Sequence, residues 1–214
     1  MITKPTDAAD PARFEEAEET VDYPGKKIGM WFFLFPELLF FGGMFLLYSI
    51  YRYRFPADFH NGAKEENLVL GSINTGVLLT SSLLMALAIS AVRSGRSRLS
   101  QFLQGGTISL GVVFLIIKGI EWGAKIARGI YPNGPTLLKM GNGEIIFFGL
   151  YYTMTGIHAL HVTIGLVVIA FMIHSTRRGV IDSSRFSRLE NTGLYWHFVD
   201  IVWIYLFPLF YLIT

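Results

Sequence analysis

Five apolar stretches run through this 214-residue chain, each at or above the ~20 residues a helix needs to cross the hydrocarbon core of a bilayer. They fall near Ile28–Tyr51, Leu68–Val92, Phe102–Ile126, Ile145–His174 and Leu194–Ile213. The fourth is the longest and is expected to tilt or to project into water. Between them lie Gly, Pro and clustered charge, as at Arg93-Ser-Gly-Arg-Ser-Arg98 and Tyr131-Pro-Asn-Gly-Pro135, the composition of connecting turns. The pattern predicts an all-α integral membrane bundle of five transmembrane helices. Residues 28–214 form its one domain, behind a polar, acidic tail over residues 1–27. That tail shows no apolar signal region, so the first helix is expected to act as its own insertion signal.

An odd number of spans puts the termini on opposite sides, and Lys/Arg asymmetry orients them. The N-terminal side carries Lys4, Arg13, Lys26, Lys27, Arg93, Arg96, Arg98, Arg177, Arg178, Arg185 and Arg188, against Arg52, Arg54, Lys64, Arg128 and Lys139 on the other. The N-terminus is therefore expected in the cytoplasm and the C-terminus outside. With 52% hydrophobic and 16% charged residues and a formal charge of +2, nothing suggests a nucleic-acid partner. The absence of cysteine excludes disulfides, iron–sulfur ligation, thiolate catalysis and thiolate copper sites in this chain.

Ionisable groups at membrane depth are costly and face protein or a cavity, so each one inside a span is a candidate site. Glu37 lies about 13 Å into the first span at 1.5 Å per residue. It follows Pro36, whose ring frees a backbone carbonyl near Phe32. It reads as a proton-relay, lipid-headgroup or partner-helix contact, or as a satisfied structural hydrogen bond. Lys118, Glu121 and Lys125 form one stripe of alternating sign on the third helix. An intrahelical ion pair neutralises it, and Lys125 is expected to snorkel to the interface. In the fourth helix His158 and His161 share a face, flanked by Gly156 and Gly165, which admit a close neighbour. Two imidazoles begin a metal or haem site, but closed sites take about four ligands and catalytic ones usually three; interhelical hydrogen bonding is the simpler role. In the fifth helix His197 and Asp200, three apart, can bond each other or a common partner and must face protein. Of the aromatics around them, Trp196 suits the interface, whereas Trp203 and Tyr205 lie deeper and need packing or hydrogen-bond partners.

Several of these runs together resemble subunit III of the haem–copper respiratory oxidases. They are Pro36-Glu-Leu-Leu-Phe-Phe-Gly42, Leu70-Gly-Ser-Ile-Asn-Thr75, Gly119-Ile-Glu-Trp122, Thr155-Gly-Ile-His-Ala-Leu-His-Val-Thr-Ile-Gly165 and Tyr195-Trp-His-Phe-Val-Asp-Ile-Val-Trp203. The likeness extends in order from about residue 28 to the C-terminus, and the last two runs are long and specific. This chain resembles the five-helix bacterial form, which lacks the first two helices that wall a lipid-holding cleft in longer members. It departs from the family at Pro36, where Ser is frequent.

The resemblance implies a multi-pass subunit of the bacterial cytoplasmic (inner) membrane that carries no catalytic residue and no metal or cofactor of its own. Haem and copper are then expected in partner subunits, with subunit I as the main contact, subunit II in the same complex, and bound phospholipid. By resemblance Glu37 matches the helix-one membrane glutamate and Glu121 the helix-three glutamate. His158, His161, Glu190, His197 and Asp200 fall on signature positions. These are candidate proton, lipid or subunit-contact residues that support turnover and proton uptake in subunit I. An accessory subunit of a quinol oxidase or a nitric oxide reductase fits the same motifs. Two readings of another class remain: a stand-alone proton-coupled transporter using Glu37, Lys118 and Asp200, and an intramembrane metalloenzyme using His158, His161 and His197.

Overall fold

In lipid a spanning backbone must satisfy its own hydrogen bonds, and all regular structure among the described residues is helical. The computed structural model describes the backbone over residues 11–213 and the side chains of residue 25 and of residues 28–213. The expected acidic tail therefore lies largely outside the described side chains. Helix α1 spans Pro11–Arg54, α2 Pro56–Lys64, α3 Leu68–Arg93, α4 Ser97–Ala127, α5 Asn142–Arg177 and α6 Ser187–Tyr211, with a 3-10 turn at Leu137–Lys139. Five are long and apolar enough to cross a membrane, α1 from Ile28 onward. The expected spans are all present, with ends displaced by up to seven residues, most at the start of α6, which begins at Ser187 and not at Leu194. Helix α5, at 36 residues, is about 54 Å long and outreaches the hydrocarbon core.

Helices α3, α4, α5 and α6 close into a four-membered ring, each touching the next and α6 returning to α3; α1 packs outside it, on the α5–α6 edge. Half of the α6 span is buried (50%), against 11% for α1, so α6 is the core helix. Helix α2 was not expected. Pro56 starts it, where a missing N–H costs nothing, and Phe59 anchors it, 5.3 Å from the Tyr48 ring and 5.4 Å from Phe147. Asp58 accepts from Gly143 N at 3.0 Å, tying α2 to the start of α5. Nine residues with His60, Asn61 and Lys64 are too short and too polar to register as a membrane span.

The turns explain why the helices stop where they do. Asn67 caps α3 by accepting from Leu70 N at 3.1 Å. Helices α3, α4 and α5 each end with a glycine at positive φ, Gly95 (73°), Gly129 (76°) and Gly179 (71°). At each, paired backbone bonds reach into the last turn, such as Arg96 N to Ala91 O at 2.8 Å and Gly95 N to Val92 O at 2.9 Å. This is the Schellman termination, in which the left-handed residue is best filled by Gly. Gly95→Val is expected to cost about 1–2 kcal/mol, the left-handed penalty for a residue with a Cβ, as a lower thermal midpoint in detergent. An unchanged midpoint would mean the cap carries no stability.

Candidate functional site

Each half of the bundle holds one set of polar side chains. Nearer the C-terminal end of α4, Lys118, Glu121 and Lys125 are all buried. Glu121 Oε1 accepts from Tyr151 of α5 and Tyr211 of α6, both at 2.5 Å, and from Lys118 Nζ at 3.3 Å. Lys118 also reaches the Tyr211 hydroxyl at 2.7 Å and the Tyr151 hydroxyl at 3.1 Å. Its Nζ lies 5.0–5.3 Å from the ring centres of Tyr151, Trp203 and Tyr211. The expected Lys118–Glu121 pair is thus present but is shared by three helices. Lys125 does not snorkel: its side chain is 2% exposed and bonds Glu66 Oε2 at 2.7 Å. Turning inward gains an ion pair with the α2–α3 turn that a stem lying along the lipid face would lack. Two ammoniums face two carboxylates, which makes the burial affordable. Sequence reasoning missed Glu66, Tyr151 and Tyr211. The signal for a partner was the stripe itself, which carries more positive than negative charge.

Toward the other end, His161 Nε2 meets Glu37 Oε2 at 3.1 Å across the α1–α5 contact, and His161 Nδ1 lies 2.9 Å from the Ile157 carbonyl. A carbonyl only accepts, so Nδ1 carries a proton. The Nε2–Glu37 contact then holds one further proton, on the imidazole or on the carboxyl group. Glu37 is 26% and His161 13% exposed, so the pair opens onto the outer surface of the bundle. Phe41 packs edge-on against the His161 ring at 5.3 Å.

His158 does not share this setting. It is fully buried between Phe114, edge-on at 5.5 Å, and Trp203, stacked at 5.4 Å. No described group hydrogen-bonds either ring nitrogen. Three residues rotate a helix by about 300°, enough to send His161 to α1 and His158 into the ring. Sharing a broad face was not sharing a partner.

His197 and Asp200 do not bond each other. His197 Nδ1 pairs with the Ser82 hydroxyl of α3 at 2.6 Å. Asp200 is buried, and the same Ser82 hydroxyl lies beside its carboxyl group, though outside strict hydrogen-bond geometry, so Ser82 stands between the two residues as a shared neighbour. Glu190, in the first turn of α6, forms an ion pair with Arg93 at the end of α3, and the Arg93 guanidinium lies 4.8 Å over the Phe186 ring. The aromatic expectations also change. Trp196 is fully buried rather than interfacial, and its indole N–H donates to Ser81 at 3.1 Å. Trp203 has the partner it needed in Thr75 at 3.0 Å. Tyr205, expected to need packing or a hydrogen-bond partner, is 61% exposed and has the Phe45 ring of α1 tilted 5.9 Å from its own.

The three membrane histidines face α1, the ring interior and α3 separately, so they do not fit a haem- or copper-holding site. Among the described residues no three His, Cys, Asp or Glu side chains converge. The arrangement can hold protons and charge pairs and can hold helices together.

Comparison with known proteins points the same way. The family model of cytochrome c oxidase subunit III matches residues 6–214. A cytochrome c oxidase subunit 3 of Synechocystis is 34% identical over 88% of this chain and 76% of its own length. A probable quinol oxidase subunit 3 of Staphylococcus epidermidis is 32% identical over 87% and 88%. A heme-copper oxidase subunit I+III of Aeropyrum pernix is 29% identical over 89% of this chain, which spans 23% of that longer protein. Five apolar helices, the ordered motifs and a match over nearly the whole chain agree that this protein belongs to the cytochrome c oxidase subunit III family.

Proposed function

We propose that the chain is the non-catalytic third subunit of a respiratory oxidase in the bacterial inner membrane, packed against subunit I and accompanied by subunit II. In this reading the N-terminus is cytoplasmic, as the Lys/Arg asymmetry favours. The observation that carries the proposal is the partly exposed Glu37–His161 pair, its Glu37 on a helix that otherwise shows Trp31, Phe32, Phe35, Leu38 and Leu39 outward. A titratable pair opening onto lipid is costly. A neighbouring subunit or a lipid headgroup covering it removes that cost. The fused Aeropyrum relative supports subunit I as the neighbour, since its name joins subunits I and III in one chain. Glu37, His161, His197 and Asp200 then lie in the cytoplasmic half of the bundle, where they support proton supply and sustained turnover by subunit I. Haem and copper supply the redox chemistry from the partner subunits; this chain orients and shields.

Mild-detergent purification of the tagged chain is expected to bring down a haem-bearing subunit I in equal amount. Glu37→Ala is expected to leave the haem spectrum intact while reducing the number of turnovers before inactivation severalfold. Recovery of the chain alone, without haem, or loss of the haem signal in Glu37→Ala, would overturn the accessory reading. The Staphylococcus relative keeps a quinol oxidase as a second reading, and the donor oxidised by the purified complex decides between them.

A further inference from the structure

Charge neutrality explains the buried lysines and glutamates, but not why two phenols share one carboxylate oxygen. Tyr151 and Tyr211 both donate to Glu121 Oε1 at 2.5 Å. Each phenol oxygen also accepts from Lys118 Nζ, at 3.1 Å for Tyr151 and 2.7 Å for Tyr211. A phenol that gives up an electron must also give up its proton, because the oxidised ring is a far stronger acid than the phenol. Here a base already holds each of the two protons, and a base within hydrogen-bond reach is the geometric requirement for proton transfer. The ammonium then keeps an N–H on the oxygen that has lost its hydrogen.

The same rings belong to a run of oxidisable aromatics. Tyr151 meets Tyr152 edge-on at 5.3 Å, and Tyr152 lies 5.3 Å from Trp122, which is partly exposed on α4. In the other direction Tyr211 lies 6.3 Å from Trp203. That inner end is closed. Trp203 is fully buried, has Phe114 edge-on at 4.9 Å and donates its N–H to the Thr75 hydroxyl, a poor base. Phe210 stands edge-on to Tyr151 at 5.4 Å, and a phenylalanine ring is far harder to oxidise than a phenol or an indole. The route from the pair to the surface of the bundle therefore runs through Tyr152 and Trp122.

We propose that Tyr151 and Tyr211 form a redox-active pair that gives one electron, through Trp122, to strong one-electron oxidants of the peroxyl-radical class. The oxidant takes an electron from the Trp122 indole and becomes a peroxide anion, which water protonates. The indole is refilled from the tyrosine pair across the Tyr152 ring, and the phenol proton passes to Glu121 as the O–H bond breaks. One neutral phenoxyl radical and one protonated Glu121 remain. A reductant of the hydroquinone class returns the electron by the same rings and releases its own proton to water, while Glu121 hands the phenol proton back. The lysines set the threshold. Lys118 Nζ lies 5.0–5.3 Å from the ring centres of Tyr151, Trp203 and Tyr211, and Lys125 Nζ lies 5.0 Å from that of Tyr151. A cation over a ring favours the ring that keeps its electrons, so mild oxidants leave the pair reduced. The pair is built from α4, α5 and α6 of this chain, and it does not rest on the identity of the partner subunits.

The test is electron paramagnetic resonance on the full-length chain, purified with whatever subunits accompany it and oxidised by photogenerated tris(bipyridine)ruthenium(III). Samples are frozen after radicals on exposed tyrosines such as Tyr53 have decayed. A persistent tyrosyl signal is expected, narrowed when the tyrosines carry ring deuterium. The double variant Tyr151→Phe, Tyr211→Phe is expected to lose it. Because that variant also strips Glu121 of two donors, Trp122→Phe serves as the second one. The Trp122 N–H has no described partner, so the change leaves the hydrogen bonds and ion pairs of the cluster in place, and it is expected to lower the radical yield severalfold. Absence of a persistent tyrosyl signal, a signal that survives in the double variant, or an undiminished yield in Trp122→Phe each overturns the redox role.

Discussion

Glu121→Gln is expected to destabilise the bundle by about 3–5 kcal/mol, the usual cost of leaving a buried charge without its partner. The isosteric amide keeps an oxygen for the Tyr151 and Tyr211 hydroxyls but removes the negative charge that Lys118 and Lys125 both approach, at 3.3 and 3.5 Å. Lys125 retains Glu66; Lys118 retains only phenol oxygens and ring faces. Thermal inactivation in mild detergent measures the loss. Lys118→Met combined with Glu121→Leu is the control, since replacing both members of a buried pair by apolar residues is often neutral or stabilising. A single variant as stable as the parent would show that the pair is not ionised in the bundle. A double variant worse than the single would show that the two Tyr hydroxyls, rather than charge, set the cost.

Trp196→Ala is expected to cost about 3–5 kcal/mol, as large aromatic truncations in cores do. The indole fills a slot made by two glycines. A Cβ at Gly165 of α5 would stand 2.8 Å from the ring, and one at Gly111 of α4 would stand 3.0 Å from it and 2.6 Å from Leu166. With the indole N–H on Ser81 of α3, this one side chain of α6 touches every other helix of the ring. Gly165→Leu should therefore overpack the slot and cost about 1–3 kcal/mol. Added to Trp196→Ala it should recover stability, because the new side chain enters the vacated space. Unfolding in detergent of the two single variants and the double variant reads the sign of the coupling. Additive losses would mean that residues 165 and 196 do not share a space.

Both predictions concern residues whose type was legible and whose partners were not. Helix existence followed from apolar length alone, because lipid leaves a spanning backbone few alternatives. The Lys118–Glu121 pair was readable for a similar reason: three-residue spacing brings the groups together on any helix. Glu66 was not readable, since it lies 59 residues from Lys125 and no local rule connects them. Trp196 misled because an aromatic near the end of an apolar run has the composition of an interfacial belt. Only the helix beginning earlier, at Ser187, places it a full two turns inside. His158 and His161 show the limit of face arguments, since each of the two met a different helix. Helix α2 escaped notice because its anchor is one phenylalanine set among polar residues.

By itself the sequence determined that the chain crosses a membrane in five helices, that it lacks thiolate chemistry, and that its membrane-depth charges and motifs resemble those of an oxidase accessory subunit. These follow from transfer energetics and local spacing, which act within one segment. The tertiary structure alone decided which charges neutralise one another, that Lys125 turns inward to Glu66, that His197 bonds Ser82 instead of Asp200, and that Glu37 and His161 open outward together. Those outcomes depend on the rotation of each helix about its axis and on contacts between segments far apart in the chain. Ring packing around α6, with its glycine slots, fixes those rotations, and no pattern within one helix contains them.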